Sequence, residues 1–335
     1  MKRSSIKDIA RIAGVSVATV SYVLNQKEGK RIGEETRKKI LEIAETINYV
    51  PNRNARSLKN NKSKLLGLIV ADISNDFYSG MARRLEDKAL QLDYSLIIGS
   101  SDENAAKFEK LIELFSQQQV DGMIVAPVVG SEGSLLKLTE KNYPVVTIDR
   151  YLKGMSLPGV ILDNREIAET ATGLLLKRSF QQIIYIGYDT KLEHLLDRQK
   201  GFESGILEAG YPVVMKNILV GIENITEEIQ AKLGNALGKK PKSTALFFSS
   251  NKLAVAGLAY LVKNNIKVPR DVSVLAFDET EAYQLFPTEI SYIRQPLEEM
   301  ADEAIAILDS QISQYSGIAK KITLSASLIL RNSIK

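Results

Sequence analysis

Cysteine is absent from this 335-residue chain, and histidine occurs once, at position 194. The first absence removes disulfides, thiolate nucleophiles and cysteine-held zinc or iron–sulfur centres. The second leaves no set of imidazoles for a metal site and argues against a Ser-His-Asp relay. Long apolar runs are also missing: none approaches the roughly 18 residues a membrane span needs. The start Met1-Lys2-Arg3-Ser4-Ser5 leads into a polar amphipathic segment in place of a secretory apolar core. A cytoplasmic protein without membrane contact is therefore expected. There is no GxxxxGK(S/T) phosphate loop, no GxGxxG after a strand and no GxSxG nucleophile elbow. No cofactor or metal is expected, and the chain reads as a non-enzyme.

What the chain does have is length for two or three domains and an ordinary globular composition, 44% hydrophobic and 25% charged. Its charge is uneven. Residues 1–64 hold 15 Lys/Arg against 6 Asp/Glu, while the remainder holds 29 against 34. A basic head on a mildly acidic body points to a polyanionic partner for the head alone.

Within that head, residues 5–25 read as two short helices. Ser5 and Asp8 have capping-box spacing, with Asp in place of the usual Glu or Gln. Ile6, Ile9, Ala10 and Ala13 recur at helical spacing, and Gly14 permits the left-handed turn that ends the helix. Ser16 can cap a second helix over 17–24. Val20, Val23 and Leu24 would then face the core and leave Val17, Ala18, Ser21 and Tyr22 outside. A helix-turn-helix needs this arrangement, because its second helix buries one face and offers the start of the other to the major groove. Periodicity alone fits a generic helical hairpin equally well.

The residues themselves separate the two readings. The run IKDIARIAGVSVATVSYVLN, residues 6–25, resembles the N-terminal signature of the LacI/GalR family of bacterial transcription regulators. The resemblance continues through Glu34-Glu35-Thr36-Arg37, Tyr49-Val50-Pro51-Asn52 and Asn54-Ala55-Arg56-Ser57-Leu58, which is similar to the family's hinge helix. It implies that Val17, Ala18 and Tyr22 face base edges. Ser16, Thr19, Ser21 and Asn25 join them as DNA-binding residues, the last three holding phosphates, which set register without reading sequence. It implies also that Leu58 wedges into a minor-groove base step, with Arg56 near the backbone. Leu58 as an ordinary core leucine is the alternative; Arg53, Arg56, Lys59, Lys62 and Lys64 leave it little apolar company. The chain departs from the family in a longer loop over 26–35 and in Gly33, where Ser usually caps the third helix.

The body alternates apolar runs with amphipathic stretches. Strands are expected over 65–71, 95–99, 122–126, 145–149, 160–162, 183–187, 245–248, 272–277, 291–293 and 324–330. Helices are expected over 78–92, 104–119, 165–179, 198–209, 225–237, 253–264 and 297–314. Such alternation indicates doubly wound parallel sheets, too many strands for one sheet and naturally split between two subdomains. Ligands in these sheets sit beyond the strands' carboxyl ends. The polar residues there are 72–78, Asp149-Arg150, Asp163-Asn164, Ser249-Ser250-Asn251 and Asp278-Glu279, joined by Arg198. Each alone reads as a cap or turn former; together they suggest a polar cleft.

The resemblance extends over the body through Ile73-Ser74-Asn75-Asp76-Phe77-Tyr78, Val120-Asp121-Gly122, Asp163-Asn164, Arg198 with Gly201-Phe202, Val268-Pro269-Arg270-Asp271-Val272-Ser273, Phe277-Asp278 and Ile293-Arg294-Gln295-Pro296. It implies a fold like the periplasmic sugar-binding proteins, with crossovers near Asp163, Ile293 and Lys321. The expected organisation is a helix-turn-helix domain over 1–50, a hinge over 51–62 and an effector-binding and dimerisation domain over 63–335. That last domain divides into one subdomain of 63–162 with 294–321 and another of 163–293 with 322–335. The resemblance assigns effector binding to Phe77, Asp149, Arg198, Asn251 and Asp278. A guanidinium, two carboxylates and a carboxamide suit vicinal hydroxyls or a heterocycle edge. Two departures stand out. Lys252 occupies a position usually held by Asp, which either favours an anionic ligand or points to solvent, and Ile222-Glu223 stands where a stacking aromatic is common.

The expected function is a homodimeric, sequence-specific repressor of a pseudo-palindromic operator, controlled by a sugar, sugar derivative or nucleobase. A protein co-regulator stays open, as do a cytoplasmic sugar-binding protein with an incidental head and an enzyme using Asp149 and Asp278 as an acid/base pair.

Overall fold

The structure is a computed structural model that describes residues 5–24, 32–49, 62–208, 213–238 and 243–335. Contacts divide the chain into two units, Met1–Ser63 and Lys64–Lys335. The first unit holds α1 (Ile6–Ala13), α2 (Val17–Leu24) and α3 (Glu34–Thr46). At the start of α1 the Ser5 N–H and Oγ–H both donate to Asp8 Oδ2, at 2.9 and 2.7 Å. Gly14 ends the helix at φ 72°, a conformation that a Cβ would disfavour. Ser16 Oγ then accepts the Thr19 N–H at 3.1 Å and caps α2. Ile9, Ala13, Val20, Val23, Ile40 and Ala44 form the core between the helices, with Leu24 at its edge. Gly33 brings no capping side chain to α3, but Glu34 and Glu35 place negative charge at the helix's positive end.

The second unit runs β1 (Leu65–Val70), α4 (Asp76–Gln91), β2 (Ser95–Ser100), α5 (Ala105–Gln117), β3 (Gly122–Val125), α6 (Glu132–Glu140), β4 (Val145–Asp149), β5 (Gly159–Leu162), α7 (Asn164–Leu176), β6 (Gln182–Tyr188) and α8 (Glu193–Glu208). It continues with β7 (Val214–Val220), α9 (Ile225–Leu237), β8 (Thr244–Phe248), α10 (Asn251–Lys263), β9 (Val272–Phe277), α11 (Ala282–Leu285), β10 (Ser291–Arg294), α12 (Leu297–Ser313), β11 (Lys321–Leu324) and β12 (Ser327–Ile329). Two six-stranded sheets result, ordered β11-β5-β4-β3-β1-β2 and β12-β10-β9-β8-β6-β7. All pairings are parallel except β10 with β12. Strand order reverses between β1 and β3 in one sheet and between β6 and β8 in the other, and a doubly wound sheet opens its ligand crevice at that point.

Several elements differ from the sequence expectation. The single strand over 324–330 is two strands. β11 pairs with β5 in the first sheet and β12 with β10 in the second. The third crossover is therefore Ser325-Ala326, beyond Lys321, and residues 322–324 belong with the first half. Asp163 explains the switch: its N–H donates to the Leu324 carbonyl at 3.0 Å, and its Oδ1 accepts the Ala326 N–H at 3.1 Å. The second crossover falls at Gln295-Pro296, because Arg294 still belongs to β10. β7 went unrecognised because it is an edge strand whose first four residues are exposed, so Lys216-Asn217 break the apolar run that marks a buried strand. β11 is half-exposed for the same reason, and α6 and α11 are too short for a clear period. α8 starts at Glu193 and not at Arg198, which puts His194 on the helix.

Helices α7 and α8 pack backbone to backbone. A Cβ at Gly201 would stand 2.1 Å from the Arg165 carbonyl oxygen and 2.9 Å from Ala168 Cβ. Beside it Phe202 stacks on Tyr185 at 5.1 Å and 26°. Gly201→Ala is expected to cost about 1–3 kcal/mol through overpacking, read as a lower urea midpoint. A wild-type midpoint would mean that the helix pair separates freely.

Candidate functional site

Two sites follow from the residues singled out above, one in each unit. On α2, Val17 is 42% exposed and Ala18 is exposed beside it. Neither side chain donates or accepts a hydrogen bond, so this pair can read only groove shape or thymine methyl groups. Ser21 and Tyr22 are half-buried rather than outside. The Ser16 and Thr19 hydroxyls lie 2.9 Å apart and serve the cap. Asn25, Arg56 and Leu58 lie outside the described residues.

In the body, the carboxyl ends of β1, β4, β6, β8 and β9 converge on a cavity of about 90 Å³. Phe77, Asp149, Arg198 and Asp278 all line it. Asn251 does not; its Nδ2 donates to Asn75 Oδ1 at 2.8 Å beside a neighbouring groove. Asp149 is buried at the end of β4, where it accepts the Tyr78 hydroxyl at 2.7 Å. Arg198 is 2% exposed. Its Nε donates to Asn164 Oδ1 at 2.7 Å, its Nη1 donates to the Ser249 carbonyl at 2.8 Å, and its guanidinium lies 3.6 Å from the Phe277 ring centroid. Asp278 Oδ2 is 3.9 Å from Arg198 Nη1, and Asp278 Oδ1 accepts Gln295 Nε2 at 2.6 Å. Burial pushes the carboxyls of Asp149 and Asp278 upward, against the pull of the arginines.

Lys252 neither awaits an anion nor points to solvent: its Nζ pairs with the Asp72 carboxylate, with Ser74 Oγ at 3.4 Å. Asp72 and Ser74 follow β1, whereas Lys252 opens α10, so this pair bridges the two halves. Asn251–Asn75 does the same, as do Thr280 Oγ1 donating to Asp76 Oδ2 at 2.5 Å and the Tyr151 hydroxyl donating to Asp197 Oδ2 at 2.5 Å.

The expected effector-binding set leaves out Arg150, His194 and Gln295, all of which line the cavity, although Arg150 stands among the polar strand-end residues and Gln295 in a family motif. Arg150 is held by Glu103 through Nη1 and Nη2 at 2.7 and 2.6 Å. His194 is 5% exposed, with no partner for Nδ1. Its signal was present: positions 194 and 198 are four apart and share one helix face. A helix expected only from 198 leaves position 194 off that face, whereas the helix spans Glu193–Glu208.

Residues 5–52 match the model of the lacI family of bacterial regulatory proteins, and residues 172–334 match that of the periplasmic binding protein-like domain. The chain is 33% identical over 336 residues to the HTH-type transcriptional regulator RegA of Clostridium saccharobutylicum, covering 98% of this chain and 99% of that one. It is 30% identical to the sucrose operon repressor of Klebsiella pneumoniae, covering 99% of each. Among solved structures, the lac repressor dimer bound to operator and the anti-inducer ONPF shares the fold, with a TM-score of 0.83 over 99% of each chain at 19% identity.

Burial holds the His194 imidazole neutral well below its ordinary 6.5, helped by Arg150 and Arg198. The unfolded chain takes up a proton as pH falls through about 6.5, and the folded chain does not follow. This contribution is therefore complete above about pH 6.5 and is lost below it, by up to about 1.4 kcal/mol per pH unit. Asp149 and Asp278 titrate in both proteins, so comparing wild type with His194→Leu isolates the histidine. Urea unfolding between pH 7 and 5 should show a smaller acid-side loss in the variant. Equal losses would mean that the imidazole protonates in place.

Proposed function

Because the chain belongs to the lacI family of bacterial regulatory proteins, we propose that it is a homodimeric repressor whose effector enters the cleft between the two body halves. It is a DNA-binding transcription regulator, as its relatives are. The observation that carries the effector reading is the convergence of Phe77, Asp149, Arg198 and Asp278 on one cavity at both sheets' switch points. Asn251 acts beside them by holding Asn75 across the cleft. A ligand that binds better to one relation of the halves shifts the population toward it. The four polar bridges are the contacts to be remade, and the hinge at Arg56 and Leu58 receives the change.

On DNA, two heads related by a twofold axis read two half-sites, so the operator is pseudo-palindromic. The dimer of the lac repressor on its operator supports this assembly. In the head, Ser16, Val17, Ala18, Thr19, Ser21, Tyr22 and Asn25 meet the DNA, and Leu58 opens the central base step. No described helix is long and apolar enough to cross a membrane, and a cytoplasmic, non-catalytic regulator is our reading. Asp149 and Asp278 then serve as hydrogen-bonding groups rather than an acid/base pair.

Arg198→Lys keeps a cation beside Asp278 but loses the planar fork. It should weaken the effector response roughly tenfold or more, the equivalent of one charge-assisted hydrogen bond. Fluorescence anisotropy with operator DNA and increasing effector measures this, and a wild-type response would remove Arg198 from the site. Leu58→Ala should reduce operator affinity more than affinity for random DNA of equal length. An equal loss on both would exclude the wedge.

A further inference from the structure

The four polar bridges between the halves are unevenly placed. Three of them leave one short segment, residues 72–76 between β1 and the start of α4: Asp72 to Lys252, Asn75 to Asn251 and Asp76 to Thr280. The fourth, Tyr151 to Asp197, comes from the segment after β4. Local bonds fix the three-bond segment. Asp72 Oδ1 accepts both the Ser74 N–H and the Ser74 hydroxyl, at 2.9 and 2.7 Å, and leaves Oδ2 for Lys252. Asn75 Oδ1 accepts the Phe77 N–H at 3.0 Å as well as Asn251 Nδ2 at 2.8 Å. On the opposite side Asn251 Oδ1 accepts the Lys252 N–H at 2.8 Å, which orients those two residues together. Side chains with local partners lose little further freedom on meeting across the cleft, so the chain's own geometry suffices to bring them together.

Asp72 and Lys252 line the cavity with Phe77, Tyr78 and His194. Its volume, about 90 Å³, is far below the roughly 300 Å³ at which pockets for organic ligands begin. The closed body therefore has no room for a ligand of that size. The segment that fastens the halves also leads directly into Phe77 and Tyr78, so closure and the shape of the cavity wall are set together. Entry requires the halves to part, and parting breaks the Lys252–Asp72 pair, whose side chains are 35% and 26% exposed.

We propose that residues 72–76 and the start of α10 form an autoinhibitory clasp, centred on the Lys252–Asp72 ion pair, which holds the body closed through the chain's own side chains and must release before a ligand reaches the cavity. For its regulatory purpose the clasp rests on the effector reading above, but it does not depend on which compound binds. A ligand admitted only by the open form binds with an affinity reduced by the fraction of the population that is open. Weakening the clasp therefore tightens binding, the reverse of losing a ligand-contacting residue.

His194 reports the opening. It is the only histidine in the chain, is 5% exposed and lines the cavity from α8. Diethyl pyrocarbonate, a small neutral reagent that carbethoxylates imidazoles, reaches it when the halves part, and the ultraviolet absorbance of the product follows the reaction in the untagged full chain. Lys252→Met and Asp72→Asn should each raise the rate about three- to tenfold over wild type, the range for loss of one partly exposed charged hydrogen bond. The double variant should react no faster than Lys252→Met, because both substitutions remove the same contact. Gly201→Ala lowers stability without touching the clasp and should react at the wild-type rate. A wild-type rate in either single variant, multiplied effects in the double variant, or equal acceleration in Gly201→Ala would each overturn the clasp. Such a failure leaves the effector reading to its own test with Arg198→Lys, whereas a wild-type response in Arg198→Lys overturns that reading and leaves the opening rates, and the clasp, as they are.

Discussion

Seven charged side chains, Asp72, Glu103, Asp149, Arg150, Arg198, Lys252 and Asp278, border one small cavity, and the cost of dehydrating them is the constraint around which the body is arranged. A buried charge without a partner costs several kcal/mol, so each must find its complement nearby. Three of these partnerships form within a half: Arg150 with Glu103, Tyr78 with Asp149, and Arg198 with Asp278. The fourth, Lys252 with Asp72, forms only when the halves are together. The electrostatics that make a binding surface therefore also hold the surface closed. Under the proposed function, ligand binding and any change in the relation of the halves would draw on the same few groups.

Much of this was legible in the residues. Continuous apolar strands announced parallel sheets, and the strand-end rule drew attention to Asp149 and Asp278, whereas Phe77 and Arg198 were singled out as effector-binding by the resemblance to the LacI/GalR family. What escaped lay where burial is partial or where a role depends on tertiary neighbours. β7 and β11 are edge strands with exposed faces, so they lack the apolar run of central strands. Lys252 could be judged only once Asp72, 180 residues away in sequence, was seen opposite it. One histidine makes neither a metal site nor a relay, and the place of His194 in the cavity wall depends on tertiary neighbours that no sequence pattern encodes.

The head shows a complementary limit. Its turn, cap and core follow from Ser5, Gly14 and Ser16 almost by rule, because capping and left-handed turns depend on local geometry alone. What α2 offers outward is modest, with Val17 and Ala18 unable to hydrogen-bond a base. If these residues meet DNA as proposed, discrimination among sequences leans on methyl contacts, on Tyr22 and on the readiness of DNA to deform.

Asp163 carries one more consequence. Its main chain holds Leu324 and its side chain holds Ala326, so the first and third passages between the sheets are stitched along one seam. A movement of the halves that kept both bonds would have to turn about this seam, as a book opens about its spine. An effector in the proposed cleft would then need to specify no new arrangement, only a point on the arc that this seam allows.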